Sequence, residues 1–169
     1  MSSSDEEASS IAALVHQSLR DRAATLAVAE SLTGGLLGGA LTAPAGSSAT
    51  FRGGVVAYAT DLKSALLRVD TQLLERHGAV HPEVAAAMAR GVARLLGATF
   101  GLATTGVAGP DPQDGRGPGE VHVALAGPAG VRARSLALHG GRDAIRRQTV
   151  LQALRLAVEA LAAGGNTDS

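Results

Sequence analysis

The stretch Val28-Ala29-Glu30-Ser31-Leu32-Thr33-Gly34-Gly35 decides the fold, because it joins a buried strand to a helix through a turn rich in hydroxyl groups and glycine. The segment 23–29 is short and almost wholly apolar, which is typical of a strand covered on both faces. After the turn, leucine and alanine recur at helical spacing as far as Pro44. The first turn of such a helix leaves backbone N–H groups that can hold an anion or a developing oxyanion.

Outward from this unit, helix-like and strand-like segments alternate before a late hairpin. We predict strands at residues 23–29, 51–58, 100–105, 121–126 and 131–138. We predict further helices at residues 61–67, 71–77, 83–96 and 143–161, and a first helix with an apolar stripe of Ile11, Leu14, Val15 and Leu19. This order is typical of a three-layer α/β/α domain on a mixed, mostly parallel sheet with a late antiparallel hairpin. Ligands bind such sheets beyond the carboxyl ends of the strands.

The length of 169 residues suits one domain with a substantial core. We expect disordered tails at residues 1–8 and 164–169 around a single domain at residues 9–163, with Ser9 or Ser10 capping the first helix. The chain has no cysteine, which excludes a disulfide scaffold, thiol catalysis and the common structural zinc sites.

The charge balance points to a small-molecule partner. Fifteen acidic residues match fifteen lysine and arginine residues, so no strong field gathers nucleic acid or an anionic membrane. Residues 31–51 carry no ionisable side chain, yet five glycines, one proline and six hydroxyl residues make them too polar and broken for a membrane helix. The first ten residues do not read as a signal peptide, and we expect a cytoplasmic protein.

A single lysine and a single tyrosine stand five residues apart. Fourteen of the fifteen lysine and arginine residues are arginine, and the one lysine is Lys63. The one tyrosine in the chain, Tyr58, precedes it. A buried lysine can lose its proton near neutral pH, which a guanidinium cannot do. This predicts a chemical role for Lys63, against the alternative that it is a lone surface lysine retained by chance.

Ser31 follows the buried strand, where its hydroxyl would face the mouth of a site. Serine needs a base to become a nucleophile, and a Ser–Lys pair is one known arrangement. Tyr58 would relay the proton or orient Lys63. From the local pattern alone, capping of the next helix is the commoner role for Ser31 and Thr33. Other hydroxyls that could replace Ser31 as nucleophile are Ser47, Ser48, Thr33 and Thr105.

The glycine-rich segments and arginines are weaker signals. Gly34, Gly35 and residues 106–109 could cradle a phosphate, but neither segment is a P-loop or a dinucleotide fingerprint, and ordinary turns would use the same glycines. Arginines that could bind a phosphate, or simply form a solvated face, are Arg142, Arg146 and Arg147. The five histidines are scattered without ligand spacing, so we predict no metal site and no cofactor.

Several motifs occur in one order along the chain: residues 29–35 (AESLTGG), 44–51 (PAGSSATF), 53–58 (GGVVAY), Lys63, 78–80 (GAV), 105–110 (TGVAGP) and 141–142 (GR). In this series the chain resembles the CinA C-terminal domain family over residues 10–163. Stand-alone members of the PncC type are nicotinamide-nucleotide amidohydrolases. The resemblance implies hydrolysis of the carboxamide of nicotinamide mononucleotide to nicotinate mononucleotide and ammonia. It also implies a homo-oligomer.

The resemblance also implies roles for individual residues. Ser31 would attack the carboxamide carbon, Lys63 would act as the base, and Tyr58 would orient or relay. Backbone N–H groups of residues 33–35 would hold the oxyanion. The residues expected to bind substrate are Glu30, Thr33, Gly34, Gly35, Ser48, Thr105, Gly106, Ala108, Gly109 and Arg142.

The chain departs from the family's usual motifs at three places. His81 and Glu120 stand where Ser and Thr are common, and residues 111–115 (DPQDG) replace a further glycine pair. The altered loop bears on substrate closure. The alternative function is a non-catalytic nucleotide-binding or regulatory domain acting with a partner protein. A nucleic-acid binder is disfavoured, because the chain lacks a basic stripe and stacking aromatic residues.

Overall fold

The structure is a computed structural model that describes residues 2–164. Its helices are α1 (Ser3–Asp21), α2 (Leu36–Thr42), α3 (Thr60–Leu67), α4 (Thr71–His77), α5 (Pro82–Leu96) and α6 (Arg142–Ala163). Its strands are β1 (Leu26–Glu30), β2 (Phe51–Val56), β3 (Phe100–Gly106), β4 (Glu120–Gly127) and β5 (Gly130–Ala137). A short 3₁₀ turn at Ser47–Ala49 precedes β2.

One five-stranded sheet in the order β2-β1-β3-β4-β5 forms the middle layer. Strand β1 runs parallel to both β2 and β3, whereas β4 and β5 are antiparallel to their neighbours. The predicted three-layer α/β/α fold on a mixed sheet with a late hairpin is therefore confirmed. The parallel part comprises β2, β1 and β3, and the antiparallel part lies at the other end.

Alternation along β1 divides the core between the two faces of the sheet. Leu26 and Val28 pack into the cluster shared with α1, α2 and α6, while Ala27 and Ala29 pack into the cluster shared with α3, α4 and α5. Every residue of β1 is buried. Both helical layers can therefore reach this strand, as its continuous apolar run predicts.

Small residues let the layers approach closely. A Cβ atom built on Gly101 of β3 would lie 2.0 Å from the main-chain oxygen of Ala89 on α5. No side chain fits at that distance, so glycine is required where α5 crosses the sheet. The sequence also has few aromatic residues, and its smaller apolar side chains let the helices pack close to the sheet.

Helix α1 begins earlier than the sequence predicts. Residues 3–8, predicted to be a disordered tail, form its first turns, and Ser2 rather than Ser9 or Ser10 is the cap. Ser2 and Asp5 make a reciprocal capping box, and Asp5 also pairs with Arg147 of α6 at 2.6 Å. The predicted apolar stripe is wrong at Leu14, which is 57% exposed.

Other boundaries differ by a few residues. Strand β1 starts at Leu26 rather than at Ala23, whose φ of +49° interrupts extended backbone. Gly164 is the C-cap of α6, and the rest of the predicted C-terminal tail lies outside the described residues. Within residues 2–164, no helix combines the length and the apolar character needed to cross a membrane.

The sheet topology brings several loops together at one edge of the sheet, formed by the carboxyl ends of its parallel strands. Glu30 pairs with Val56, so β1 and β2 end side by side, and β3 ends at Gly106 on the other flank of β1. The segments that follow these strands, and the start of α6, meet there. This is the edge where doubly wound sheets bind their ligands.

Candidate active site

Ser31 and Lys63 meet at this edge. Ser31 directly follows β1, and its main-chain N–H donates to the carbonyl oxygen of Thr104 on β3 at 3.2 Å. Lys63 comes from α3 and is completely buried. Its Nζ donates to Ser31 Oγ at 3.0 Å, to Ala57 O at 2.7 Å and to Tyr58 O at 3.2 Å. The lysine therefore holds one geometry, with its nitrogen against the serine hydroxyl.

The surroundings make Lys63 a weaker base than a surface lysine. Burial lowers the pKa of Lys63 from 10.5 to about 8, and the negative charge of Asp114 opposes part of this effect. A lysine with this pKa has a larger neutral fraction near neutral pH than a surface lysine, although the charged form still predominates at pH 7. An arginine in its place would stay charged.

The turn that carries Ser31 is held from two sides. Arg146 of α6 donates from Nε to Leu32 O at 2.9 Å and from Nη2 to Thr33 O at 3.4 Å. The hydroxyls of Thr33 and Thr104 lie 2.9 Å apart, and Thr33 is fully buried. The side chain of Thr33 is therefore engaged with β3 and is not directed to a substrate.

Glu30 caps helix α2. Its carboxylate accepts hydrogen bonds from the N–H groups of Gly35, Leu37 and Gly38 at 2.9–3.2 Å, and Glu30 is 2% exposed. The anion-binding position at the start of this helix is thus filled by the chain itself. The structure places Glu30 in a structural role, in contrast to the substrate contact that the resemblance implied.

The same contacts revise the predicted oxyanion donors. The N–H of Gly35 is bound to Glu30, and the N–H of Gly34 donates to Ser31 O at 3.1 Å. Among residues 33–35, Thr33 is the one whose N–H has no acceptor within residues 2–164. The N–H of Leu32 also has no acceptor there. The available donors therefore lie one residue earlier than predicted.

Tyr58 does not reach Lys63 through its ring. The side chain is 57% exposed, and its hydroxyl accepts a hydrogen bond from Arg142 Nη2 at 3.2 Å. Arg142 also donates from Nη1 to Gly109 O at 2.6 Å. Tyr58 thus supports Lys63 by its main-chain oxygen, while its ring and Arg142 span the mouth of the site.

A pocket of about 360 Å³ opens beside Ser31. It is lined by Ser31, Leu32, Tyr58, residues 106–113 and Arg142. The N–H groups of Ala108 and Gly109 have no acceptor among the described residues. The pocket therefore brings a hydroxyl, an arginine and unused backbone donors to one place.

Some predicted residues lie elsewhere. Ser48 is exposed in the turn before β2, at the amino ends of the strands and hence at the opposite edge of the sheet from Ser31. The hydroxyl of Thr105 donates to Ala79 O at 2.7 Å and is buried. Gly106 is tightly packed, because a Cβ there would lie 2.7 Å from Glu120 O. Among the candidate hydroxyls, Ser31 is the one that Lys63 contacts.

Three residues that support the site were missed or misassigned. Thr104 binds the Ser31 turn, Arg146 holds that turn rather than a phosphate, and Asp114 acts on Lys63. Arg147 pairs with Asp143 and Asp5 away from the pocket. The pair Asp114-Gly115 carried a usable signal, since Asp-Gly favours a tight turn that can present a carboxylate.

Within residues 2–164, no three His, Cys, Asp or Glu side chains come together in a way that could hold a metal ion. The chemistry that the arrangement offers is that of a hydroxyl beside an amine with a lowered pKa. Fold and site together define a three-layer α/β domain with a buried Ser–Lys pair at the carboxyl edge of its parallel strands.

The chain belongs to the CinA family: the model of the CinA C-terminal domain matches residues 8–161. A CinA-like protein of Frankia casuarinae is 55% identical over 150 residues, which cover 89% of this chain and 35% of that protein. A putative competence-damage inducible protein of Desulforamulus reducens is 45% identical over 152 residues, covering 90% and 37%. This chain thus spans about a third of the length of these curated relatives.

Solved structures share the fold over almost their whole length. The CinA superfamily protein of Klebsiella pneumoniae superposes with a TM-score of 0.88 at 31% identity, covering 92% of this chain and 98% of that one. The competence/damage inducible protein of Agrobacterium tumefaciens gives a TM-score of 0.87 at 36% identity, covering 92% and 96%. Both agree with the mixed sheet described above.

Proposed function

We propose that this chain is an amidohydrolase that converts nicotinamide mononucleotide and water to nicotinate mononucleotide and ammonia. The observation that carries the proposal is the 3.0 Å contact between Lys63 Nζ and Ser31 Oγ. It pairs a nucleophile with a base whose pKa is about 8. A domain that only held a phosphate would need neither a buried lysine nor a serine against it.

In the first half of the reaction, neutral Lys63 takes the proton of the Ser31 hydroxyl as Oγ bonds to the carboxamide carbon. The carbonyl oxygen then carries the negative charge of a tetrahedral intermediate. The N–H groups of Leu32 and Thr33 are the available donors for that charge. When the C–N bond breaks, the Lys63 ammonium gives its proton to the nitrogen, which leaves as ammonia.

In the second half, water replaces ammonia. Lys63, neutral again, takes a proton from a water molecule that attacks the Ser31 ester. The ester C–O bond breaks, Oγ recovers its proton from Lys63, and the carboxylate product departs. The carbonyl oxygens of Ala57 and Tyr58 hold Nζ in place through both halves. No redox step and no cofactor are needed.

The nucleotide phosphate has a chemical counterpart across the pocket. The N–H groups of Ala108 and Gly109 and the guanidinium of Arg142 form a donor set that suits a phosphate. In the structure Arg142 donates to Gly109 and Tyr58. Substrate binding would exchange the contact with Tyr58 for one with phosphate.

The test is ammonia release from nicotinamide mononucleotide by the purified protein without added metal. We expect release by the wild type, loss of at least about 100-fold in Ser31→Ala, and no change in Ser18→Ala, which alters a serine of α1 outside the site. Saturable binding of the nucleotide by calorimetry, with no ammonia from the wild type, would contradict the proposal and favour a binding domain.

A further inference from the structure

The loop between β3 and β4, residues 107–119, contains a tight turn at Asp114. The N–H and carbonyl groups of Gln113 and Arg116 exchange two hydrogen bonds, of 2.9 and 2.8 Å. Between them, Asp114 has a φ of +51° and Gly115 a φ of +74°. Two successive residues with positive φ form the tight turn that Asp-Gly sequences favour. The turn fixes the backbone from which the Asp114 side chain projects.

That side chain is directed at the segment between α4 and α5. Asp114 Oδ2 accepts a hydrogen bond from the N–H of Ala79 at 3.0 Å. A Cβ atom on Gly78 would lie 2.7 Å from Asp114 Cβ, so the two residues are in tight contact. On the other side, Ala79 O accepts from Thr105 at the end of β3. The pocket-lining loop is thus fastened to a segment that β3 already holds.

The charge of Asp114 acts on Lys63. Other titratable or charged groups on neighbouring elements are Glu30 at the end of β1, Tyr58 after β2, the exposed Asp61 of α3 and Arg68 just after it, and His81 and Glu83 at the start of α5. Glu30 is bound to the amides of α2, Tyr58 to Arg142, and His81 to the N–H of Glu83. Asp114 is the group whose charge offsets the burial of Lys63.

We propose that Asp114 is a positioning residue that fastens the 107–119 loop over the pocket and whose carboxylate, held there, favours the charged form of the buried Lys63. The kinetic part rests on the proposed function. The two effects have separate physical origins, because the hydrogen bond to Ala79 needs only an acceptor whereas the effect on Lys63 needs a negative charge. Substitutions can therefore separate them.

Asp114→Asn keeps an acceptor and removes the charge. We expect the pKa of Lys63 to fall below its wild-type value of about 8, because the opposing charge of Asp114 is gone, so that more of the lysine is neutral at acidic pH. We expect kcat/KM at pH 6.5 to rise about two- to fivefold, the range of a partly exposed charge interaction, with KM unchanged. Asp114→Ala removes both, and KM rises about tenfold. Gly78→Ala, at a φ of +71° that strains a residue with a Cβ, displaces the carboxylate and raises KM without removing the charge.

The decisive experiment uses the fact that Lys63 is the only lysine in the chain. Protein labelled with ¹³Cε-lysine gives one signal, whose titration by NMR reports the pKa of Lys63 without any substrate. We expect a midpoint near 8 in the wild type, a lower midpoint in Asp114→Asn, and the wild-type value in Glu75→Gln, which neutralises an exposed carboxylate of α4 outside the pocket. Equal midpoints in Asp114→Asn and wild type would overturn the effect on Lys63.

Hydrogen exchange tests the fastening, again without substrate. The amide of Ala79 should exchange at least about tenfold faster in Asp114→Ala and stay protected in Asp114→Asn. Equal protection in all three proteins would refute that part. Absence of ammonia release together with the expected shifts would refute the proposed function alone, so the two failures are distinguishable.

Discussion

Arg146 of α6 donates from Nε to the carbonyl oxygen of Leu32 at 2.9 Å, across 114 residues of sequence. The last helix thus holds the turn that presents Ser31. Thr33 O also accepts a hydrogen bond from the N–H of Leu36, the first residue of α2, at 2.9 Å, so the turn is held by α2 as well as by α6. A guanidinium with several donors in a fixed fork satisfies two carbonyls of the turn at once.

We predict that Arg146→Gln lowers kcat at least about tenfold and the free energy of unfolding by about 1–2 kcal/mol, since two carbonyls lose a charged donor. Steady-state kinetics and urea unfolding measure the two effects. The matched control is Arg155→Gln on the same helix, which breaks a surface pair with Glu7 and should cost less than about 1 kcal/mol. An unchanged kcat in Arg146→Gln would show that the turn needs no such support.

Replacing Lys63 by arginine keeps a positive charge but removes the base. We expect Lys63→Arg to lose about 100-fold or more in kcat at every pH, as for other general bases. In the wild type, kcat should rise with pH around a midpoint near 8, where Lys63 becomes neutral. A pH–rate profile of both proteins is the measurement, with circular dichroism to verify folding. Near-wild-type turnover in Lys63→Arg would rule out the base assignment.

The same lysine makes stability depend on pH. Its pKa is lower in the folded protein, about 8 against 10.5, so the unfolded chain binds more protons between these values and stability rises with pH. From pH 7 to pH 10, the free energy of unfolding of the wild type should therefore increase by about 2 kcal/mol relative to that of Lys63→Met. Urea unfolding at several pH values tests this. A difference that stays constant with pH would mean that burial does not lower the pKa of Lys63.

Local sequence patterns were sufficient for most of the fold. Strands and helices are separated by clear turn residues, and the apolar run of residues 23–29 identifies a strand covered on both faces. The error at residues 3–8 has a physical cause: a segment rich in serine and acids looks disordered alone, but α6 supplies Arg147 as a partner for Asp5. Such tertiary ion pairs leave no local trace.

The site was predictable where composition singled out a residue, and not where the decisive contact is long-range. The lone lysine indicated Lys63, and its contact with Ser31 joins positions 32 residues apart. No pattern in the sequence shows that the Glu30 carboxylate would cap α2, or that Ser48 would lie at the amino ends of the strands, away from Ser31. These depend on strand direction and register, which the structure supplies.

Glu30 offers a test that separates a structural carboxylate from one that binds substrate. Because it accepts from three backbone N–H groups of α2, Glu30→Gln should lower the free energy of unfolding by about 1–3 kcal/mol and leave KM within twofold. Thermal unfolding and KM are the readouts. The control is Glu6→Gln, an exposed residue in the first turn of α1, with an expected effect below about 0.5 kcal/mol. A large rise in KM with unchanged stability would return Glu30 to the binding site.

Arg142 tests how the pocket would recognise the phosphate. Its guanidinium lies at the pocket mouth, bound to Gly109 O and Tyr58, and it would have to hold the phosphate for nucleotide selectivity. We predict that Arg142→Gln raises KM for nicotinamide mononucleotide about tenfold, because a charge-assisted contact is lost. The KM for the riboside, which has no phosphate, should stay within about twofold. Arg132→Gln, an exposed arginine of β5, serves as the control, and equal effects on both substrates would mean that Arg142 supports the loop at Gly109 and does not read the phosphate.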